Sequence, residues 1–258
     1  MKRVSGTIIR LLPAICIFLF LAITITQNGY AQETLLKSLE KKSLQGLKAY
    51  IKDENKVKNC DAGECKAFIR FDREILRGYR EVWGDYVDFD RGYELRLIAK
   101  GNALIYWRLD TVNEKWESRT KDSFIDRKEY NRFLQEYRSF YGVSLNEKEL
   151  FISPQFALGG CGEGGYLPDM YEAMDSLVST KNIPVLVQWL RSVNIETQLY
   201  AIEAYSKLAL SLSADEKKII SYILSKDAMV HSCDGCDTSD RSVRKIANLK
   251  GYVQLLGL

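Results

Sequence analysis

NIPVLVQWLRSVNIETQLYAIEAYSKL, residues 182–208, reads as two helices joined by a tight turn. Asn182 is placed to cap the first helix, and Pro184 falls near its first position, where a missing N–H costs nothing. Val185, Leu186, Trp189 and Leu190 recur at helical spacing. After a break at Ser192 to Ile195, Leu199, Ile202, Tyr205 and Leu208 do the same. Two short apolar faces need each other, so a helical hairpin is the expected unit, and the rest of the chain is read outward from it.

Towards the C-terminus, Ala214 to Leu224 forms a further amphipathic helix with Ile219, Ile220 and Ile223 inward. MVHSCDGCDTSD (229–240) reads as a loop, after which Ser239 or Asp240 caps a last helix carrying Val243, Ile246, Leu249, Val253 and Leu256. On the other side, Pro168 and Asp169 begin a helix that runs through Leu177. Five helices with short connections predict a stacked array of α-hairpins, and a compact bundle fits the same periodicity. The 182–208 hairpin resembles a HEAT-type repeat, with a proline early in its first helix and Ala201 and Ala204 at the close-packing positions of its second. It departs from that family at Thr197-Gln198, where a valine and an arginine are usual, and has Asn194 near the turn aspartate. The resemblance implies architecture and brings no catalytic residue.

The N-terminal half is mixed. Leu35, Leu36, Leu39, Leu44, Leu47 and Ile51 outline an amphipathic helix over 33–53, followed by the polar loop DENKVKNCDAGEC (53–65). Phe68, Phe71, Ile75, Tyr79 and Val82 predict another helix ending near Gly84, although Ala67, Ile69 and Phe71 also alternate as a strand would. Residues 93–98 and 103–109 flank Lys100-Gly101-Asn102 and predict a β-hairpin. Short strands follow at 116–119 and near Phe124, with a turn at 113–115. Asp126 then caps a helix from Arg127 to Tyr141 whose Tyr130, Phe133, Leu134, Tyr137 and Phe140 cover the sheet. SPQFALGGCGEGG (153–165) is the most glycine-dense stretch and marks the boundary. The expected organisation is a signal peptide (1–31), an α+β unit (32–158) and an all-α helical-hairpin, HEAT-like domain (159–258).

Residues 1–31 carry the address. Lys2, Arg3 and Arg10 precede an apolar run from Leu11 to Ile25, and Gly29-Tyr30-Ala31 puts small residues at the cleavage positions of a secretory signal. An uncleaved anchor is the competing reading. Cys16 lies inside the apolar run after the bulky Ile15, which argues against lipidation. Those three basic residues account for the whole excess of 37 basic over 34 acidic groups. The mature chain of about 227 residues, ample for a sizeable core, is formally neutral. A neutral surface excludes nucleic acid as the expected partner, because phosphate neutralisation needs a basic one. The expected location is periplasmic or extracellular, with no membrane association after cleavage.

In an oxidising compartment close cysteines are first read as bridges, so Cys60 with Cys65 and Cys233 with Cys236 are the expected disulfides, leaving Cys161 over or bridging to Cys60 or Cys65. Cys233-Asp234-Gly235-Cys236 also has the spacing of a thiol-redox motif, but Asp234, Asp237 and Asp240 oppose a thiolate. Zinc is the alternative use of Cys60, Cys65, Cys233 and Cys236, with His231 able to replace one of them. Cys161, among five glycines, is a candidate nucleophile only with His231, the one histidine, as its base. Asp85, Asp88 and Asp90 among Trp83, Tyr86, Phe89 and Tyr93 form a mixture that a carbohydrate site could use, but a helix-to-strand connection with partly buried aromatics is the reading preferred. No phosphate-binding loop, nucleophile elbow or calcium loop is present. The sequence therefore predicts an exported, non-enzymatic binding or scaffolding protein that meets a protein partner through its helical hairpins, without a cofactor. The alternative is a cysteine-dependent enzyme or thiol-redox protein.

Overall fold

A computed structural model describes residues 35–57, 67–88, 91–112 and 118–257. The signal-like N-terminus, Cys60, Cys65, Phe89, Asp90 and the 113–115 turn lie outside the described residues. Residues 35–40 are helical and lead into α1 (Leu44–Val57). Five antiparallel strands follow as a meander, β1 (Ala67–Leu76), β2 (Tyr79–Asp88), β3 (Arg91–Lys100), β4 (Ala103–Val112) and β5 (Ser118–Ile125), each paired with its sequence neighbour. The predicted hairpin is β3 and β4.

The stretch 68–84, expected as a helix, is instead the β1–β2 hairpin. Its apolar spacing imitates a helix because β1 is irregular twice, between Ile69 and Phe71 and between Glu74 and Leu76. Each bulge inserts one residue and moves the alternation on by one. Phe68, Phe71 and Ile75 therefore fall three and four residues apart while belonging to a strand. Gly84 is required beside the first bulge, since a Cβ there would sit 2.8 Å from the Phe68 carbonyl oxygen.

Both faces of this sheet are used. Leu35, Leu39, Leu44 and Leu47 cover one face, packing on Val82, Tyr93, Leu95, Leu97, Trp107 and Leu109. On the other face α2 (Arg127–Tyr141) lays Tyr130, Phe133, Tyr137 and Tyr141 against Ile75, Tyr79, Ile98 and Ile105. Asp126 caps α2 as expected, its carboxylate accepting from the Lys128 and Glu129 amides. Gly142 ends it in a left-handed conformation.

The remaining elements are a 3₁₀ turn (Glu147–Glu149), β6 (Phe156–Cys161), α3 (Asp169–Ser179), α4 (Ile183–Leu190), α5 (Ile195–Lys207), α6 (Ala214–Ser225), β7 (Met229–Gly235), β8 (Asp237–Ser242), α7 (Val243–Lys250) and α8 (Tyr252–Leu255). α4 and α5 are the hairpin read from 182–208, with Asn182 capping the first through the Val185 amide and Asn194 capping the second through Thr197. An all-α array does not follow from it. A second sheet, ordered β6-β7-β8, occupies the same half, with β6 parallel to β7 and β7 antiparallel to β8. The expected boundary after residue 158 falls inside β6. The supposed loop 229–240 is a hairpin whose Val230, Ser232 and Cys233 are buried, and the last helix starts at Val243, capped by Ser242. Strand pairing here joins residues more than 70 positions apart, which no local period reports. One hydrophobic core contains Ile75, Tyr79 and Ile98 of the large sheet together with Leu186, Tyr200, Ile219 and Val243. Among the described residues no helix is long and apolar enough to cross a membrane.

Candidate functional site

Among the described residues, only half of the α2-side face of the large sheet is covered by the hydrophobic core. In-register residues form rows across the strands. The row Arg73, Glu81, Ile98, Tyr106, Ile125 borders the packed half. Beyond it lie Phe71, Trp83, Arg96, Arg108, Ser123 and then Phe68, Asp85, Glu94, Asp110, Thr120. Neither outer row contributes a residue to the two large hydrophobic cores. This open half-face is the candidate site.

Its charges are arranged across strands. Arg70 donates from Nη2 to Asp85 at 2.9 Å, and its guanidinium lies 4.3 Å from the centre of the Trp83 ring. Arg96 donates to Glu94 at 2.6 Å and lies 3.6 Å from Asp110, to which Arg108 donates at 2.7 Å. Three cations thus meet three anions, but they are not equally accessible. The Arg70 and Arg108 side chains are 40% and 38% exposed, whereas Asp85, Glu94 and Asp110 are 14%, 13% and 0% exposed. The formal balance is zero and the charge presented to solvent is positive. Large apolar side chains stand exposed around it, namely Phe68, Val87 and Ile152. Val87 shares this face because it pairs with Gly92, two positions along from the Asp85–Glu94 pair. Asp110 Oδ2 and Trp83 Nε1, both buried in the floor, have no hydrogen-bond partner among the described residues.

The exposed Ile152 belongs to a short strained segment, the lip 151–153, which borders the face where its carbonyl accepts from Arg73. Phe151 has φ 59, a left-handed value that costs an aromatic residue about 1–2 kcal/mol. Its ring stacks on Tyr106 at 6.1 Å. The lip's polar groups are held from below. The Phe151 amide donates to Glu81 at 3.0 Å, the Ile152 carbonyl accepts from Arg73 at 2.7 Å and Asn194 at 2.9 Å, and Ser153 donates to Glu196 at 2.9 Å. Arg73 joins these carboxylates, giving Nε to Glu81 at 2.7 Å and Nη1 to both Glu196 oxygens at 2.8 and 2.9 Å. All three side chains are at most 1% exposed. Burial raises the Glu196 pKa, and the Arg73 charge, a backbone amide and the Ser153 hydroxyl oppose this without cancelling it. Behind them Lys226 is 4% exposed and donates to Gln198 at 2.9 Å, and burial pushes its amine down to about 7.

The cysteine expectations resolve differently. Cys161 is bonded to Cys233, 72 residues away, with Cα atoms 5.4 Å apart, and both are buried. The expected Cys233–Cys236 bridge is therefore absent, and Cys236 is a free, exposed thiol at the β7–β8 turn. The pairing follows from topology, because parallel β6 and β7 bring Cys161 opposite Gly235, and neither partner lies near the other in sequence. The Cys161–His231 nucleophile reading fails, since the Cys161 sulfur is bonded and buried while His231 faces solvent beside Asp240 at 3.2 Å. Cys233 is likewise spent as a zinc ligand, and no group of three or more metal-ligating side chains occurs among the described residues. The glycine-rich turn does not offer its amides to an anion, because those of Cys161, Gly162 and Gly165 bond to Tyr166, Gly235 and Gly162 carbonyls.

Strand alternation also divides the aromatic and acidic mixture at 83–93. Trp83 and Asp85 lie on the open face, whereas Tyr86 and Tyr93 pack into the α1-side core. The arginines of the site were not singled out from the sequence. Their signal was present as Glu94-x-Arg96 and Arg108-x-Asp110 alternating with Leu95, Leu97, Trp107 and Leu109. Comparison of the chain with protein-family models, curated proteins and solved structures finds no match.

Proposed function

We propose that this is an exported, non-enzymatic binding protein, and that it docks a protein partner on the open half-face of its five-stranded sheet. The observation that carries the reading is the pairing of exposed apolar side chains, Phe68, Val87 and Ile152, with two accessible arginines above screened carboxylates. Arginine and aromatic residues are enriched at interface centres, and Phe68, Val87 and Ile152 are the exposed apolar groups this face offers for contact. Charge complementarity specifies the partner as a surface with apolar side chains at its centre and carboxylates placed for Arg70 and Arg108. Export is supported by the signal-like N-terminus and by a buried disulfide, which persists in an oxidising compartment.

Site-specific photo-crosslinking in the native cells tests this. A benzophenone side chain at Val87 or Ile152 is expected to give a discrete adduct, and one at the exposed Lys245 none. Arg70→Glu with Arg108→Glu is expected to abolish the adduct, and because Arg108 pairs with the buried Asp110 the variant is compared with the wild type at a temperature where circular dichroism shows both folded. An adduct indifferent to charge reversal, or equal trapping from Lys245, refutes the assignment.

A further inference from the structure

The lip 151–153 is held in a left-handed conformation by buried charges rather than by its own sequence. Phe151 is not a residue that adopts φ 59 unaided. Its amide, the Ile152 carbonyl and the Ser153 hydroxyl are bound, in turn, by Glu81, by Arg73 with Asn194, and by Glu196. The clamp has an odd charge count. One guanidinium serves two carboxylates, all essentially excluded from water, so the trio carries one uncompensated negative charge. A buried excess charge is expensive, and the cluster is therefore disposed to take up a proton.

Glu196 is where that proton changes the geometry. Its Oε1 accepts from both Arg73 Nη1 and Ser153 Oγ, and its Oε2 accepts from Arg73 Nη1. A proton from water on either oxygen turns an acceptor into a donor. On Oε2 it faces an Arg73 N–H, and on Oε1 it faces both that N–H and the Ser153 hydroxyl. With its charge cancelled, Glu196 keeps one full acceptor oxygen where it had two and loses the charge-assisted part of its bonds, so it holds Arg73 and Ser153 more weakly and the lip loses part of its anchorage.

The groups around it are Arg73 from β1, Glu81 from β2, Ser153 from the lip and Tyr200 one turn along α5. Lys226, beyond α6, acts on the cluster through Arg73 and Glu81, and Glu74 lies on the far side of it, bonded to the Tyr222 hydroxyl. When protonated, the Lys226 amine adds a cation on the side of the cluster occupied by Arg73 and Glu81.

We propose that the lip is a proton-released latch on the binding face, in which protonation of Glu196 frees residues 151–153 and withdraws Ile152 from the contact surface. The inference rests on the reading of that face as the docking site. Its consequence is a partner held at neutral pH and released in acid.

Hydrogen exchange of the intact chain tests the latch without any partner, so it can fail while the crosslinking result stands, and the reverse. After correction for the intrinsic rate, protection of the Phe151 amide is expected to fall at least tenfold between pH 7.5 and 5.0, while residues 95–99 of β3 stay protected. Glu196→Gln, which cannot accept on both oxygens, is expected to show the low protection already at pH 7.5. Constant protection in the wild type, equal protection in Glu196→Gln at pH 7.5, or simultaneous loss in β3 overturns the proposal.

Discussion

Lys226→Met should make the protein more stable at neutral pH and flatten the pH dependence of its stability in mild alkali. Lys226 is 4% exposed, its single hydrogen bond goes to Gln198, and its neighbours are the Tyr141 and Tyr222 rings at 5.8 and 5.3 Å. Burial pulls its amine from 10.5 to about 7. Between those values the unfolded chain binds a proton that the folded chain does not, so stability rises with pH across this window and is flat, at its lowest, below it. At about 1.4 kcal/mol per unit the ceiling on the penalty at pH 7 is about 5 kcal/mol. Methionine removes that penalty but leaves the Gln198 carbonyl without a donor, at a cost of about 1–3 kcal/mol. The net expectation is a gain of about 2 kcal/mol at pH 7. Urea unfolding at pH 7, 8 and 9, with Cys236 alkylated beforehand to prevent disulfide exchange, measures both quantities. The wild type should gain about 2–3 kcal/mol over those two units, and the variant almost none. A wild type with flat stability, or a variant that keeps the slope, would show that Lys226 is charged in the fold and would refute the reasoning.

Removing the Cys161–Cys233 bond by the double change to alanine should cost about 4 kcal/mol in urea, the chain-entropy value for a loop of 72 residues; a loss under about 1 kcal/mol would mean the unfolded chain is already constrained. Iodoacetamide should label Cys236 in the native protein and reach Cys161 and Cys233 only after reduction, as peptide mapping will report. Asn194→Ala should destabilise by at least about 2 kcal/mol, because it removes the α5 cap and a donor to the Ile152 carbonyl together; a change under 0.5 kcal/mol would show the lip needs no second anchor. Gly84→Ala should cost about 1–3 kcal/mol through the contact with the Phe68 carbonyl, and an unchanged unfolding midpoint would mean the β1 bulge yields freely.

Helices were legible wherever caps and periodicity agreed. Asp126 and Asn182 each mark a helix start that their side chains make good, since a cap is settled within three residues of chain. The β3–β4 turn at Gly101 is equally local. β1 was misread because two bulges gave a strand the spacing of a helix. β7 and β8 were misread because a strand of serine, cysteine and aspartate has little intrinsic preference and is set by its pairing. The site was legible only in part. Trp83 and Asp85 drew attention, but Arg70, Arg73 and Glu196 come from segments up to 126 positions apart, read from their residue numbers.

By itself the sequence determined the capped helices and the alternation of β3 and β4, which follow from interactions among near neighbours, together with the equal numbers of basic and acidic groups after residue 31. Tertiary structure alone decided that Cys161 bonds Cys233, that β6 joins β7, that one half of a sheet face stays open, and that Arg73 is shared between Glu81 and Glu196. Those outcomes depend on which surfaces are buried against each other, and burial sets both the pairing of distant strands and the cost of every charge enclosed between them.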